Sequence, residues 1–228
     1  MFYLDSTYIL VIVGFLFAAI ASGGVQSAFS KYSKVKSYRN YTGADAARKI
    51  LDDNGLYNIK IERVAGNLTD HFDPKANVIR LSDATYADTS VAAIGVAAHE
   101  AGHAVQHATG YAPIKVRNSI VPVVNICSSL SMPMFILGLI LGATGLTNLG
   151  ILLFSGALVF QVVTLPVEFN ASKRALKILD GSAMLEEDEL TGAKKVLRAA
   201  AMTYVAAVIS TALQLIRLVL ISNSRRDD

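Results

Sequence analysis

Apolar residues fill long, uninterrupted stretches of this chain, and the polar positions between them follow a different rhythm. Residues 7–29 carry no charged side chain, which is enough helix to cross the roughly 30 Å hydrocarbon layer of a bilayer. Residues 120–167 form a second charge-free stretch, 48 residues long. As one helix it would measure about 72 Å, more than two bilayers, so it divides into two spans at the turn-forming residues 142–150 (GATGLTNLG). A further apolar run at 199–221 is interrupted only by Gln214 and Arg217, whose long side chains can reach the membrane interface. The pattern predicts transmembrane helices at 7–29, 119–141, 149–167 and 199–221. A cleaved signal peptide competes for the first, because Ala19-Ile20-Ala21 resembles a cleavage site. No basic segment precedes it, however, Asp5 being the only charge there, so a retained span is expected.

Between the first two spans the rhythm changes to that of a small folded domain. Thr42 followed by Asp45 predicts a capped helix with Ala46, Ala47, Ile50 and Leu51 on its buried face, stopped by Asn54-Gly55. Ile59, Ile61 and Val64 predict a short strand. Residues 73–77 turn the chain into a second strand at 78–81. If that strand is an edge, it is expected to accept a peptide by strand addition. Asp88, Thr89 or Ser90 then caps a long helix from about Val91 to Ala108, ended by Gly110 and Pro113. The expected order is helix, strand, turn, strand, long helix.

Composition and charge add a direction. The chain is 53% hydrophobic with mean hydropathy +0.44, above the roughly 45–50% of soluble domains. Its net charge is only +3, but the basic residues cluster. Lys31, Lys34, Lys36 and Arg39 follow the first span, and Lys115 and Arg117 precede the second. Lys173, Arg174 and Lys177 follow the third; Lys194, Lys195 and Arg198 precede the fourth. By the positive-inside rule, residues 30–118 and 168–198 are expected in the cytoplasm, with both termini and the 142–150 turn outside. These clusters suit anionic lipid headgroups and require no nucleic acid. The single cysteine, Cys127, lies in the second span and has no internal disulfide partner.

The candidate chemistry sits on the long helix. His99 and His103, four residues apart, stand one turn above each other and supply two neutral imidazoles, as a tetrahedral zinc site requires. Glu100 lies about 100° around the helix, within reach of a water on the metal without being a ligand. Zinc lowers the pKa of its water and polarises a carbonyl, while a carboxylate takes the proton as general base. His99-Glu100-Ala101-Gly102-His103 therefore has the form of the H-E-x-x-H metallopeptidases. The competing reading is a set of surface or core histidines paired with Glu100. Small Ala101 and Gly102 leave room for another element to pack closely.

A catalytic zinc needs a third protein ligand. His107 continues the series but is two turns from His99, about 12 Å along the axis, so one helix cannot wrap both around one ion. Glu168 is the better candidate, because it ends the third span on the same side of the membrane as the histidine helix. The competing view is an interfacial acid paired with Lys173 or Arg174. Asn170 and Ser172 are expected to hydrogen-bond the ligands. His71 is expected to be a turn histidine held by Asp70 or Asp73, with substrate binding or oxyanion stabilisation as the sharper alternative.

HEAGHAVQH, DHFDPKANVIRLS and LPVEFNASKRAL together, with one span before the motif and further spans after it, resemble the YugP-type bacterial neutral zinc metallopeptidases. The resemblance runs from the first span to the fourth. It implies a membrane-embedded peptidase with one zinc on His99, His103 and a downstream glutamate, as in gluzincins, and Glu100 as base. Glu168 to Ala171 is similar to the third-ligand motif of the heat-shock membrane metalloproteases. In those an aspartate follows the alanine; here Ser172 does, and Asn170 stands where the family suggests an acid.

The expected fold is α+β, mainly α-helical, with four transmembrane helices and a small zincin-like catalytic domain. The expected function is membrane-bound zinc endopeptidase, acting on peptide or protein substrates that include membrane proteins. A non-catalytic zinc scaffold is the alternative. A transporter is disfavoured because the spans carry almost no polar pathway.

Overall fold

The computed structural model describes residues 6–224; both chain ends, whose side of the membrane the charge pattern predicts, lie outside the described residues. Of the described residues 73% are helical, and they include one small three-stranded sheet. In order, the elements are α1 (Tyr8–Tyr32), α2 (Gly43–Asp53), β1 (Lys60–Val64), β2 (His71–Asp73), β3 (Val78–Ser82), α3 (Val91–Ala108), α4 (Ala112–Ile140), α5 (Thr144–Gly181) and α6 (Glu187–Ser224). Helices α1, α4, α5 and α6 are each long and apolar enough to cross a membrane. They extend beyond the spans that hydropathy predicts. Helix α4 begins at Ala112, and the break before α5 is only residues 141–143, where Gly142 takes a left-handed φ of +64°. Residues 144–150, expected in the turn, form the first turns of α5.

The chain divides into two compact units. One comprises residues up to 22, 116–165 and 203 onward, the apolar parts of the four long helices. Many of its large side chains point outward: Phe15, Ile20, Val123, Ile126 and Leu152 are each more than 60% exposed. A surface this apolar is suited to lipid rather than water. Inside this unit small residues let helices approach. Gly14 lies against Ser210, whose hydroxyl donates to the Gly14 carbonyl at 2.8 Å. A Cβ on Gly150 would collide with Phe135. Close small-residue contacts of this kind are the usual means of helix association in bilayers.

The other unit, residues 23–115 and 166–202, holds the sheet and the candidate chemistry. Thr42 and Asp45 close a reciprocal capping box on α2, and Ser90 caps α3 by accepting from the Ala93 N–H. The core joins Ile50 and Leu51 of α2, Ile79 and Leu81 of β3, and Ile94, Ala97 and Ala101 of α3. Ala175 and Leu179 of α5, Met184, and Leu197 of α6 complete it. The segment after the third span is thus part of a shared core, to which Leu185 and Ala193 also belong.

The sheet departs from expectation in two ways. A third strand, β2, is present, and the order is β1-β3-β2, with β1 parallel and β2 antiparallel to β3. The strand at 78–81 is therefore central and paired on both sides, so it offers no edge for peptide addition. The edge positions belong to β1 and β2. Asp73 shapes the turn that follows by accepting from the Lys75 and Ala76 N–H groups.

Candidate metal centre

Helix α3 is buried along its length because Val91, Ile94, Ala98 and Ala101 face the core, and this burial fixes the rotation that brings His99 and His103 to one side. Helix α5 lies hard against the same stretch. A Cβ at Gly102 would stand 2.7 Å from the Ala171 carbonyl oxygen, so only glycine permits this approach. The contact places Glu168, one turn before Ala171, opposite the two imidazoles.

The three side chains converge. The Nε2 atoms of His99 and His103 are 3.2 Å apart, and Glu168 Oε2 lies 3.3 Å from the first and 3.4 Å from the second. The histidine rings meet nearly at right angles, 84°, with centroids 4.7 Å apart. A tetrahedral ion with bonds of about 2.0–2.1 Å holds its donors roughly 3.3–3.4 Å from one another. Two sides of the observed triangle have those dimensions, and the third, between the imidazoles, is 3.2 Å. Two imidazole nitrogens and one carboxylate oxygen are also the donor set of open zinc sites, in which the fourth position is left for water or substrate. The residues fit the ion.

The surroundings favour a cation. Glu168 is 3% exposed and His103 8%. Burial works against a charged His103 imidazole, but the contact with Glu168 and the charges of Glu100 and Glu168 outweigh it, so its pKa is raised. Glu100, also 8% exposed, accepts from the Phe72 N–H of β2 at 3.0 Å. The edge strand thereby fixes one oxygen of this carboxylate beside the triad.

Each imidazole is held from behind. His99 Nδ1 lies 3.1 Å from the Ser172 hydroxyl, and His103 Nδ1 lies 3.0 Å from Gln106 Oε1. Gln106 is completely buried, and its amide nitrogen donates to the Val167 carbonyl at 2.8 Å and to Asn170 Oδ1 at 3.0 Å. Asn170 Oδ1 also accepts from Arg174 Nε at 2.8 Å. Hydrogen bonds to the far nitrogen of a ligating histidine fix its ring orientation and raise its basicity.

Over residues 7–223 the sequence matches the family described as "Putative neutral zinc metallopeptidase". The chain belongs to this family. A curated relative from Bacillus subtilis (strain 168), "Putative membrane protease YugP", is 47% identical over 222 residues, which cover 94% of this chain and 99% of the relative. No solved structure matches. A member of a zinc metallopeptidase family, homologous to a membrane protease and carrying four helices able to span a bilayer, is a membrane protein in which zinc is the metal the triad suits.

Within this family member the remaining candidates fall into different places. Ser172 contacts a triad histidine directly, whereas Asn170 reaches His103 through Gln106. Arg174 is directed to Asn170. His71 is exposed, and its Nδ1 lies 2.9 Å from the Thr69 carbonyl. The expected partners act elsewhere: Asp70 accepts from the N–H and hydroxyl of Ser82, and Asp73 pairs with Arg80. His107 is exposed and its ring tilts against Phe72 with centroids 5.9 Å apart. It joins helix α3 to the edge strand rather than to the triad. Sequence reasoning missed Gln106, and its only available signal was a spacing of three residues from His103.

Proposed function

We propose that this chain is a membrane zinc endopeptidase, with His99, His103 and Glu168 holding one zinc ion and Glu100 acting as general base. The observation that supports it best is the near-equilateral triangle of two imidazole nitrogens and one carboxylate oxygen, with Glu100 anchored beside it. Zinc in such a site supplies Lewis acidity to a peptide carbonyl and makes water acidic enough to lose a proton near neutral pH. Glu100 takes that proton on the oxygen that Phe72 leaves available and returns it to the departing amine. Ser172 and Gln106 keep the two imidazoles aimed at the ion.

Purified chain in detergent is expected to hydrolyse casein, to stop when a chelator strips the metal, and to resume on addition of zinc. Hydrolysis indifferent to the chelator would contradict the reading. The basic residues flanking the spans favour a cytoplasmic site that draws on peptides and proteins, membrane proteins included, with both termini outside. A reporter fused after Asp228 is expected to be active only on the outer face; activity in the cytoplasm would reverse the orientation.

A further inference from the structure

The chain behind His103 has a direction imposed by chemistry. Arg174 is a guanidinium that only donates hydrogen bonds, so the Asn170 atom 2.8 Å from its Nε is the amide oxygen. That same oxygen faces Gln106 at 3.0 Å, and the Val167 carbonyl, which only accepts, faces it at 2.8 Å. The Gln106 atom between two acceptors must therefore be its amide nitrogen. Its other terminal atom, the oxygen, is then turned to His103 Nδ1 at 3.0 Å. An oxygen there requires a proton on Nδ1, which leaves the Nε2 lone pair for the triad.

We infer that Arg174, through Asn170 and Gln106, is a positioning residue that fixes the polarity of this hydrogen-bond chain and thereby presents His103 Nε2 to the metal. Each link has a reason to stay in place. Gln106 is wholly buried, so an inverted amide would place its nitrogen against the Nδ1 proton and its oxygen against two acceptors, with no water to compensate. Asn170 and Arg174 are one turn apart on α5, and the Arg174 guanidinium lies 5.8 Å from the centroid of the Tyr111 ring, which holds it from its other side. The chain takes the part that a carboxylate plays in many zinc sites, and it explains how Asn170 serves where an acid is expected. The inference rests on the reading of the triad as a zinc site.

Chelator competition on the full-length chain gives the zinc affinity, and a histidine-labelled zinc-loaded sample gives the Nδ1–H proton signal of His103, which persists only while hydrogen-bonded. Gln106→Ala is expected to weaken zinc by about 10–100-fold and to lose the signal. Arg174→Met and Asn170→Leu are expected to weaken zinc by on the order of tenfold and to broaden the signal. Asn170→Asp, which still accepts from both neighbours, is expected to retain both properties. Thermal unfolding of the metal-free variants separates these effects from loss of fold. Wild-type zinc affinity and an intact signal in Arg174→Met would overturn the inference, as would an Asn170→Asp variant as defective as Asn170→Leu. A wild-type chain that binds no zinc would instead overturn the metal-site reading on which it rests.

Discussion

Glu100→Gln retains the zinc of the wild-type chain and loses nearly all of its hydrolysis of casein. The glutamine keeps the shape of the side chain and an oxygen able to accept the Phe72 N–H, so β2 and the triad stay in place. It has no basic oxygen for the proton of the attacking water. General-base catalysis of this kind contributes about 10²–10⁴-fold, and a loss of that order in kcat at unchanged metal content is the expected outcome. Metal analysis and casein turnover on the same preparation check it. Unchanged turnover with zinc retained would remove Glu100 from the chemistry and with it the peptidase mechanism.

Glu168→Ala has the opposite signature, because the metal itself is lost. The two imidazoles remain 3.2 Å apart on α3, but the third corner of the triangle and its negative charge disappear. Zinc sites in small domains supply about 10–16 kcal/mol of binding in total. Loss of roughly a third of that corresponds to about two to four decades in affinity. Competition with a chromophoric chelator measures it, and the metal-free variant is expected to unfold as the metal-free wild type does. A variant that binds zinc as tightly as wild type would place the third ligand elsewhere.

How much of this was legible beforehand differs from residue to residue. His99, Glu100 and His103 were readable because their chemistry follows from spacing on one helix, and local spacing survives in the linear sequence. Glu168 was reachable for another reason. It is the first acid after a long charge-free stretch, and a carboxylate at the end of a span calls for a partner. Gln106 was not legible. A glutamine in a helix ordinarily faces solvent, and its burial here depends on the Val167 carbonyl and Asn170 of a distant helix. Strand β2 escaped because His71, Phe72 and Asp73 are too few to display alternation, and their pairing is set by β3. The central place of β3 followed from that missing strand. The core contributed by Ala175, Leu179, Met184 and Leu197 was hidden by the charges around it, so residues 168–198 read only as a cytoplasmic segment carrying the third ligand.

The zinc-edge X-ray absorption spectrum of the loaded, full-length chain in detergent tests the central claim most directly. Two imidazoles with oxygen donors completing the coordination, at about 2.0–2.1 Å, are predicted, with fewer oxygen donors in whatever zinc Glu168→Ala retains. A sphere of three or four imidazoles, drawing on His71 or His107 and leaving no open position, would contradict a catalytic site and point to zinc held for structure alone.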